Sequence, residues 1–211
     1  MTAPHAAVPG WTDRRLLTAV AAMAAVVVLS NILVQFLLGD WLTWGALTYP
    51  IAFLVTDLSN RLLGPAAARR VVAAGFAAGI LCSLVAAGFG LTTLRIAIGS
   101  GAAFLTAQLL DVSLFDRLRA GRWWRAPLIS SVAGSAVDTA LFFSLAFSAS
   151  FGPLFPPEDV AWANEIVPIL GLGPAAPLWA SLALADFGVK VALALIALGP
   201  FRLISRRIAA A

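Results

Sequence analysis

The sequence predicts an all-α integral membrane protein of six transmembrane helices with N- and C-termini in the cytoplasm. Three observations carry this. Of the 211 residues, 61% are hydrophobic and only 11% are charged, and the mean hydropathy is +0.95. Soluble domains are roughly 45–50% apolar and about 25% charged. Six segments approach the length of about 20 apolar residues that crosses a bilayer. The basic residues, finally, fall almost wholly into alternate loops.

The spans follow in order. The first fits residues 16–38 and the second 41–63, joined by the very short "GDW", so they should lie side by side and antiparallel. The third runs over 71–91, the fourth over 96–115, the fifth over 126–150 and the sixth over 177–198. Residues 1–14 read as a mobile tail. The first span is too long for a signal-peptide core and lacks a clear small-residue cleavage site, so it reads as retained. Residues 151–176 are rich in Pro and Gly and hold Glu158, Asp159 and Glu165. They read as an extracytoplasmic loop with a short interfacial helix near Trp162. The whole of 1–211 is therefore one six-helix domain.

Orientation comes from Lys and Arg in short loops, which concentrate on the cytoplasmic side. Arg14 and Arg15, then Arg61, Arg69 and Arg70, then Arg117, Arg119, Arg122 and Arg125, and finally Arg202, Arg206 and Arg207 share one side. Arg95 stands alone on the other. The net charge of +4 is thus an orientation signal with headgroup contacts, not a nucleic-acid surface. Trp123 and Trp124, among the arginines, read as interfacial anchors. Cys82 and His5 are each single, which excludes a disulfide, a cysteine-based metal site and a buried catalytic histidine. No metal or cofactor is expected.

Polar residues inside the spans are the informative ones, because a charge at a helix centre costs about 2.5–3.5 kcal/mol on insertion scales and usually marks a pathway or ligand site. Asn31 and Gln35 lie four apart on the first span. Asp57, Asn60 and Arg61 follow on the second, Gln108 and Asp111 on the fourth, Ser131, Ser135 and Asp138 with Thr139 on the fifth, and Asp186 and Lys190 on the sixth. Spacings of three and four share a helix face, and these faces must turn away from lipid. The third span, with only Cys82 and Ser83, reads as the most peripheral. Asp138 lies a dozen residues into its span, roughly 18 Å at the helical rise, near the midplane. Asp186 and Asn31 fall at comparable depth, whereas Asp57 and Asp111 sit near the arginine-rich face.

Plainer readings stand beside these. Asp57 can pair with Arg61 and close a helix end, and Asp111 can serve the arginines after it. Asp186 and Lys190 can form an intrahelical ion pair that eases insertion. Asn31, Gln35, Ser131 and Ser135 can be interhelical hydrogen-bond glue. Phe142, Phe143 and Phe147 suit packing or lipid contact better than stacking on a ligand. Asp138 has no opposite charge within a turn, so the structural reading is weakest there.

Five segments in order carry a resemblance: "SNILVQ", "TWGALTYPIAFLVTDLSNRLLGPAAARRV", "RIAIGSGAAFLTAQLLDVSLFDRLR", "WWRAPLISSVAGSAVDTALFFSLAF" and "LADFGVKV". Together they resemble the queuosine precursor transporter family, within the vitamin uptake transporters that are similar to substrate-binding components of energy-coupling-factor systems. The resemblance implies import of deazaguanine-type bases across the bacterial inner membrane. It places the family's motifs on Thr56, Asp57, Arg61, Gly64, Arg69 and Arg70, on Arg95, Gln108 and Asp111, on Ser131, Asp138 and Thr139, and on Asp186 and Lys190. In the family an asparagine can stand a turn before the fifth-span aspartate, where this chain has Ser135.

The expected substrate-binding set is therefore Asp138, Asp186, Lys190, Gln108, Asn31, Gln35 and Ser135. Asp57, Arg61 and Asp111 are expected to form a cytoplasmic gate or proton relay. A guanine-like base offers adjacent N–H donors that a carboxylate accepts, and amides satisfy its carbonyl and ring nitrogen. The expected partners are this small molecule and membrane lipid, with no nucleic acid; a homodimer and a partner ATPase module stay open. The chain has no Walker motif, so it does not itself hydrolyse ATP. The alternatives are a substrate-binding component for a different small ligand and an intramembrane enzyme, which without a buried histidine would need the uncommon Ser–Lys arrangement. A ligand-free scaffold has no reason to carry deep charges. The second and fifth spans each bring an aspartate in opposite orientation, a faint pattern of inverted repeats.

Overall fold

The computed structural model describes residue 10, residues 12–155 and residues 160–209. Most of the expected N-terminal tail, with His5, lies outside them, as do Glu158 and Asp159. Helices dominate the described residues: α1 (Arg14–Leu33), α2 (Gly45–Thr48), α3 (Ile51–Leu63), α4 (Pro65–Gly88), α5 (Leu94–Leu118), α6 (Arg125–Phe147) and α7 (Leu178–Ala209). Five of them, α1, α4, α5, α6 and α7, are long and apolar enough to cross a membrane. This is the architecture of an all-α, multi-pass membrane protein.

The expected second span differs. It is two helices, because Pro50 has no N–H to donate and interrupts the ladder. The chain passes the break by Tyr49 N–H donating to the Gly45 carbonyl (2.9 Å) and Ala52 N–H to that of Tyr49 (3.0 Å). α3 is left with 13 residues, shorter than a full span. The first span is also shorter than expected. α1 stops at Leu33, and the chain forms a hairpin, β1 (Leu37–Leu38) with β2 (Leu42–Thr43), around the "GDW" turn. α1 and α3 still pack together, as that short connection requires.

Local chemistry explains the other ends. The Asp13 carboxylate accepts the Arg15 N–H at 2.8 Å and caps α1, and Thr93 Oγ1 accepts the Ile96 N–H at 3.1 Å and caps α5. Gly64 adopts φ +88°, a conformation glycine takes without strain, and Pro65 follows at the first turn of α4. α3 therefore reverses into α4 through one residue. The 151–176 loop holds 3-10 turns, one of them Ala161–Asn164 carrying Trp162, and a second hairpin, β3 (Ile166–Pro168) with β4 (Ala175–Pro177).

α3 sits at the centre, packed on α1, α4, α5, α6 and α7. The apolar core fills the α1–α3–α4–α5 seam with Leu16, Met23, Val27, Ala52, Val71, Val72, Phe104 and Val112. A smaller cluster of Phe115, Ala126 and Phe201 closes the arginine-rich end. α4 shares in the main core and is not the most peripheral helix. That place belongs to α7, which buries a smaller share of its apolar stretch than α4 does.

The distribution of polarity is inverted relative to a water-soluble bundle. Leu17, Leu29, Ile32, Leu81, Val85, Leu195, Ile196 and Leu203 are exposed, while Thr56, Asp57, Asn60, Gln108, Asp111, Ser131, Asp138 and Lys190 are buried. Lipid as solvent explains both halves, since side chains with polar atoms find partners only inside the bundle.

Candidate functional site

α6 is the ruler of the site. It carries, in sequence, Ser130 and Ser131, then Ser135, then Asp138 and Thr139, all buried. Ser131 and Asp138 are seven residues apart, roughly 10 Å at the helical rise. Two polar clusters form at these two levels.

The first cluster centres on Lys190 of α7. Its Nζ donates to Asp138 Oδ2 at 2.6 Å, to Asp186 Oδ2 at 2.5 Å and to Thr139 Oγ1 at 3.1 Å. Thr139 in turn donates its hydroxyl to Asp186 at 2.6 Å, and Tyr49 donates its hydroxyl to the other Asp138 oxygen at 3.2 Å. The Lys190 ammonium also lies 5.6 Å from the Tyr49 ring centroid, within cation–π range. Asp186 and Lys190 share a face at four residues apart, and α6–α7 packing brings Asp138 to them. The side chains of Asp138 and Lys190 are only 5% and 4% exposed, so water contributes little to stabilising these charges. One ammonium faces two carboxylates. The cluster therefore keeps spare acceptor capacity and fits a ligand that brings its own donors.

The second cluster joins α3, α5 and α6. Asp57 accepts the Ser130 hydroxyl on Oδ1 at 3.2 Å and the Ser131 hydroxyl on Oδ2 at 3.1 Å. Thr56 donates to Gln108 Oε1 at 2.5 Å, and Asn60 Nδ2 donates to the Val112 carbonyl at 2.8 Å. Asp111 lies beside Asp57, close enough for the two carboxyls to act on one another. Between the clusters is a cavity of about 10 Å³, lined by Pro50, Phe53, Ser131, Ser135 and Lys190. That is room for about one water.

The expected site residues divide accordingly. Asp138, Asp186 and Lys190 meet directly, and Ser135 lines the adjoining cavity. Gln108 belongs to the α3–α5 seam instead. Asn31 faces α4: its Oδ1 accepts the Ser83 hydroxyl at 3.0 Å and its Nδ2 donates to the Val27 carbonyl at 3.0 Å. It lines a separate cavity of about 20 Å³ with Tyr49, Gly79 and Ser83. Gln35 lies past the end of α1, exposed in the turn before the hairpin, and reaches neither cluster. The pairing of Asp57 with Arg61 does not form. Arg61 is exposed and donates to the Arg119 carbonyl at 3.5 Å, while Asp57 turns inward to the serines. Asp111 does not serve the arginine loop either; Asp116 pairs with Arg119 there at 3.1 Å.

Tyr49 and Thr139 complete the Lys190 cluster. Thr139 was visible beside the serine stripe of α6. Tyr49, the single tyrosine of the chain, carried a weaker signal, a hydroxyl next to the proline that breaks the second span.

Comparison with known proteins agrees with this architecture. The sequence profile of the family described as "Putative vitamin uptake transporter" matches residues 43–204, which span both clusters. The chain is 35% identical over 190 residues to the "Queuosine precursor transporter" of Escherichia coli (strain K12), covering 81% of this chain and 77% of that one. It is 40% identical over 127 residues to the "Probable queuosine precursor transporter" of Haemophilus influenzae, covering 53% of this chain and 54% of that relative. No solved structure matches. The chain belongs to the vitamin uptake transporter family.

Proposed function

We propose that this protein imports queuosine precursors, bases of the deazaguanine class, across the bacterial cytoplasmic membrane. The names of both relatives support the substrate class. The single observation that carries the reading is the buried Asp138–Lys190–Asp186 cluster, whose two carboxylates exceed its one ammonium. A deazaguanine edge presents paired N–H donors, and a carboxylate accepts such a pair in bidentate fashion. In the import cycle the base takes Asp138 from Lys190, while Asp186 and Thr139 retain the ammonium and keep it from being stranded in a low-dielectric setting. Ser135 faces the space that opens when α6 and α7 part. The cavity there now admits about a single water, so entry of a base requires that separation.

In this reading α2 and α3 together make the sixth crossing, both termini are cytoplasmic, and the 151–176 loop faces outward. Asp57, Arg61 and Asp111 then lie on the inner side and gate release. The test is uptake of labelled precursor by a queuosine-deficient bacterium expressing this chain alone. Accumulation that Asp138→Asn abolishes, at unchanged membrane abundance, supports the proposal. Accumulation only when a partner ATPase is supplied would reassign the chain as a substrate-binding component. Equal uptake by the variant would remove Asp138 from the site.

A further inference from the structure

The α3–α5–α6 cluster holds buried polar atoms without partners: three acceptor oxygens against a single donor, Gln108 Nε2. Asp111 is 0% exposed, and neither of its carboxylate oxygens has a hydrogen-bond donor. Asn60 is likewise 0% exposed, and its Oδ1 is also without a partner. The Ser130 hydroxyl, within reach of both carboxyls, has one proton and gives it to Asp57. Two acidic groups thus sit side by side, and the side chains of α6 that donate to Asp57 are the neutral Ser130 and Ser131.

The charges around them do not resolve this. Among the described residues the salt bridges are Arg119–Asp116, Lys190–Asp138 and Lys190–Asp186, and none reaches Asp57 or Asp111. Arg61, on Asp57's own helix, points to the surface. Lys190 is the ammonium on α7, and it is held by the other pair of carboxylates. Leaving one buried carboxylate unpaired costs several kcal/mol, and two adjacent ones repel. A missing positive charge is the simplest remedy.

We infer that Asp57, Asp111 and Asn60 form a binding site for one monovalent cation, a proton or a sodium ion. Its size follows from the surroundings. Calcium takes six to eight oxygens, whereas this seam offers three free ones, both of Asp111 and Oδ1 of Asn60. Buried acidic residues of this kind mark ion pathways and proton relays in transporters. Ser131 connects the site to transport: it donates to Asp57 and lines the cavity that Lys190 lines from the other side. A cation at Asp57 and Asp111 is therefore sensed about two helical turns from the Lys190 cluster. The coupling role rests on the transport reading; the cation site itself does not.

The test is made without substrate, so its failure and a failure of precursor uptake are separate results. Purified full-length protein in detergent is melted at constant ionic strength, first with sodium replacing choline and then, without sodium, across a range of pH. The sodium form of the proposal expects a melting temperature that climbs with sodium in the wild type and is flat in Asp111→Asn. The proton form expects no sodium effect and a pH-dependent step in melting that Asp111→Asn removes. Asp57→Asn gives the same comparison from the other carboxyl. A wild type indifferent to both sodium and pH overturns the inference with no variant needed. Responses shared unchanged by wild type and both variants overturn it as well.

Discussion

Lys190 of α7 places its ammonium 2.6 Å from Asp138 of α6, and this contact joins residues 52 positions apart inside a bundle whose outer surface is apolar. In the proposed import cycle it is also the point at which packing and substrate binding use the same atoms. The pair holds the two helices together, and the proposed substrate competes for one half of it. In the proposed cycle the bundle closes on itself when empty and opens by exchanging one set of donors for another.

The ammonium should matter more to folding than either carboxylate alone. Lys190→Met leaves Asp138 and Asp186 buried together with no cation, and breaking a buried pair from one side costs about 3–5 kcal/mol. Asp186→Asn leaves a neutral Lys190–Asp138 pair and should melt within about 1.5 kcal/mol of wild type, the worth of an ordinary hydrogen bond. Adding Asp138→Asn to Lys190→Met should recover part of the lost stability. Thermal melting with size-exclusion chromatography in one detergent checks the order of the variants.

Tyr49 is expected to tune affinity without being essential. Its hydroxyl gives Asp138 one hydrogen bond of 3.2 Å, while its ring packs edge-on against Phe104 at 6.0 Å. Tyr49→Phe keeps the ring and loses the hydrogen bond, a change of about 0.5–1.5 kcal/mol, or roughly twofold to tenfold in binding. Concentration-dependent uptake should show the change in the half-saturating concentration. A complete loss of transport would instead give Tyr49 an indispensable role.

What the sequence made legible, and what it hid, divides along physical lines. Helical spacing exposes any pair on one helix, so the Asp186–Lys190 pair could be read directly, and the burial of Asp138 followed from its depth. The rotation of one helix against another is set by tertiary packing and leaves no local mark. Gln108 and Asn31 therefore turned out to face Thr56 and Ser83, away from the Lys190 cluster. Asp57 and Arg61 had the right spacing to pair, yet the two serines of α6 offered donors inside the bundle while Arg61 stays at the surface beside the Arg119 carbonyl. The break at Pro50 was written in "TYPIAF", but hydropathy sums over it without seeing the missing N–H.

Arg95 should act as a clasp on the end of α6. It is 2% exposed, and it donates through Nε to the Leu145 carbonyl at 2.7 Å and through Nη2 to that of Ser148 at 2.5 Å. These are carbonyls a helix terminus leaves without partners. Hydrogen bonds from a charged donor contribute about 1.5–3 kcal/mol each. Arg95→Ala should lower the melting temperature and admit protease to the segment following Phe147. Arg95→Lys should restore only part of this, because an ammonium lacks the two-pronged fork that spans both carbonyls.

Gly134 offers the sharpest test of how closely the two clusters are yoked. It lies on α6 between Ser131 and Asp138, and a Cβ there would stand 2.6 Å from Phe53 Cε1 of α3 and 3.2 Å from the Ala107 carbonyl of α5. The ring can swing, but the carbonyl belongs to a helix backbone and cannot move alone. Gly134→Ala must therefore push α6 away from α5 by a few tenths of an ångström, at an overpacking cost of about 1–3 kcal/mol. The displacement falls where Ser130 and Ser131 reach Asp57, so it should weaken the α3–α6 hydrogen bonds while leaving the Lys190–Asp138 contact to α7 intact. Melting should drop, and cation-dependent stabilisation should diminish even where residual uptake persists. Phe53→Leu in the same chain relieves the ring contact but not the one with the carbonyl, so only partial recovery is expected. Full recovery by Phe53→Leu would show that α5 yields and that the spacing of the three helices is not fixed at this glycine.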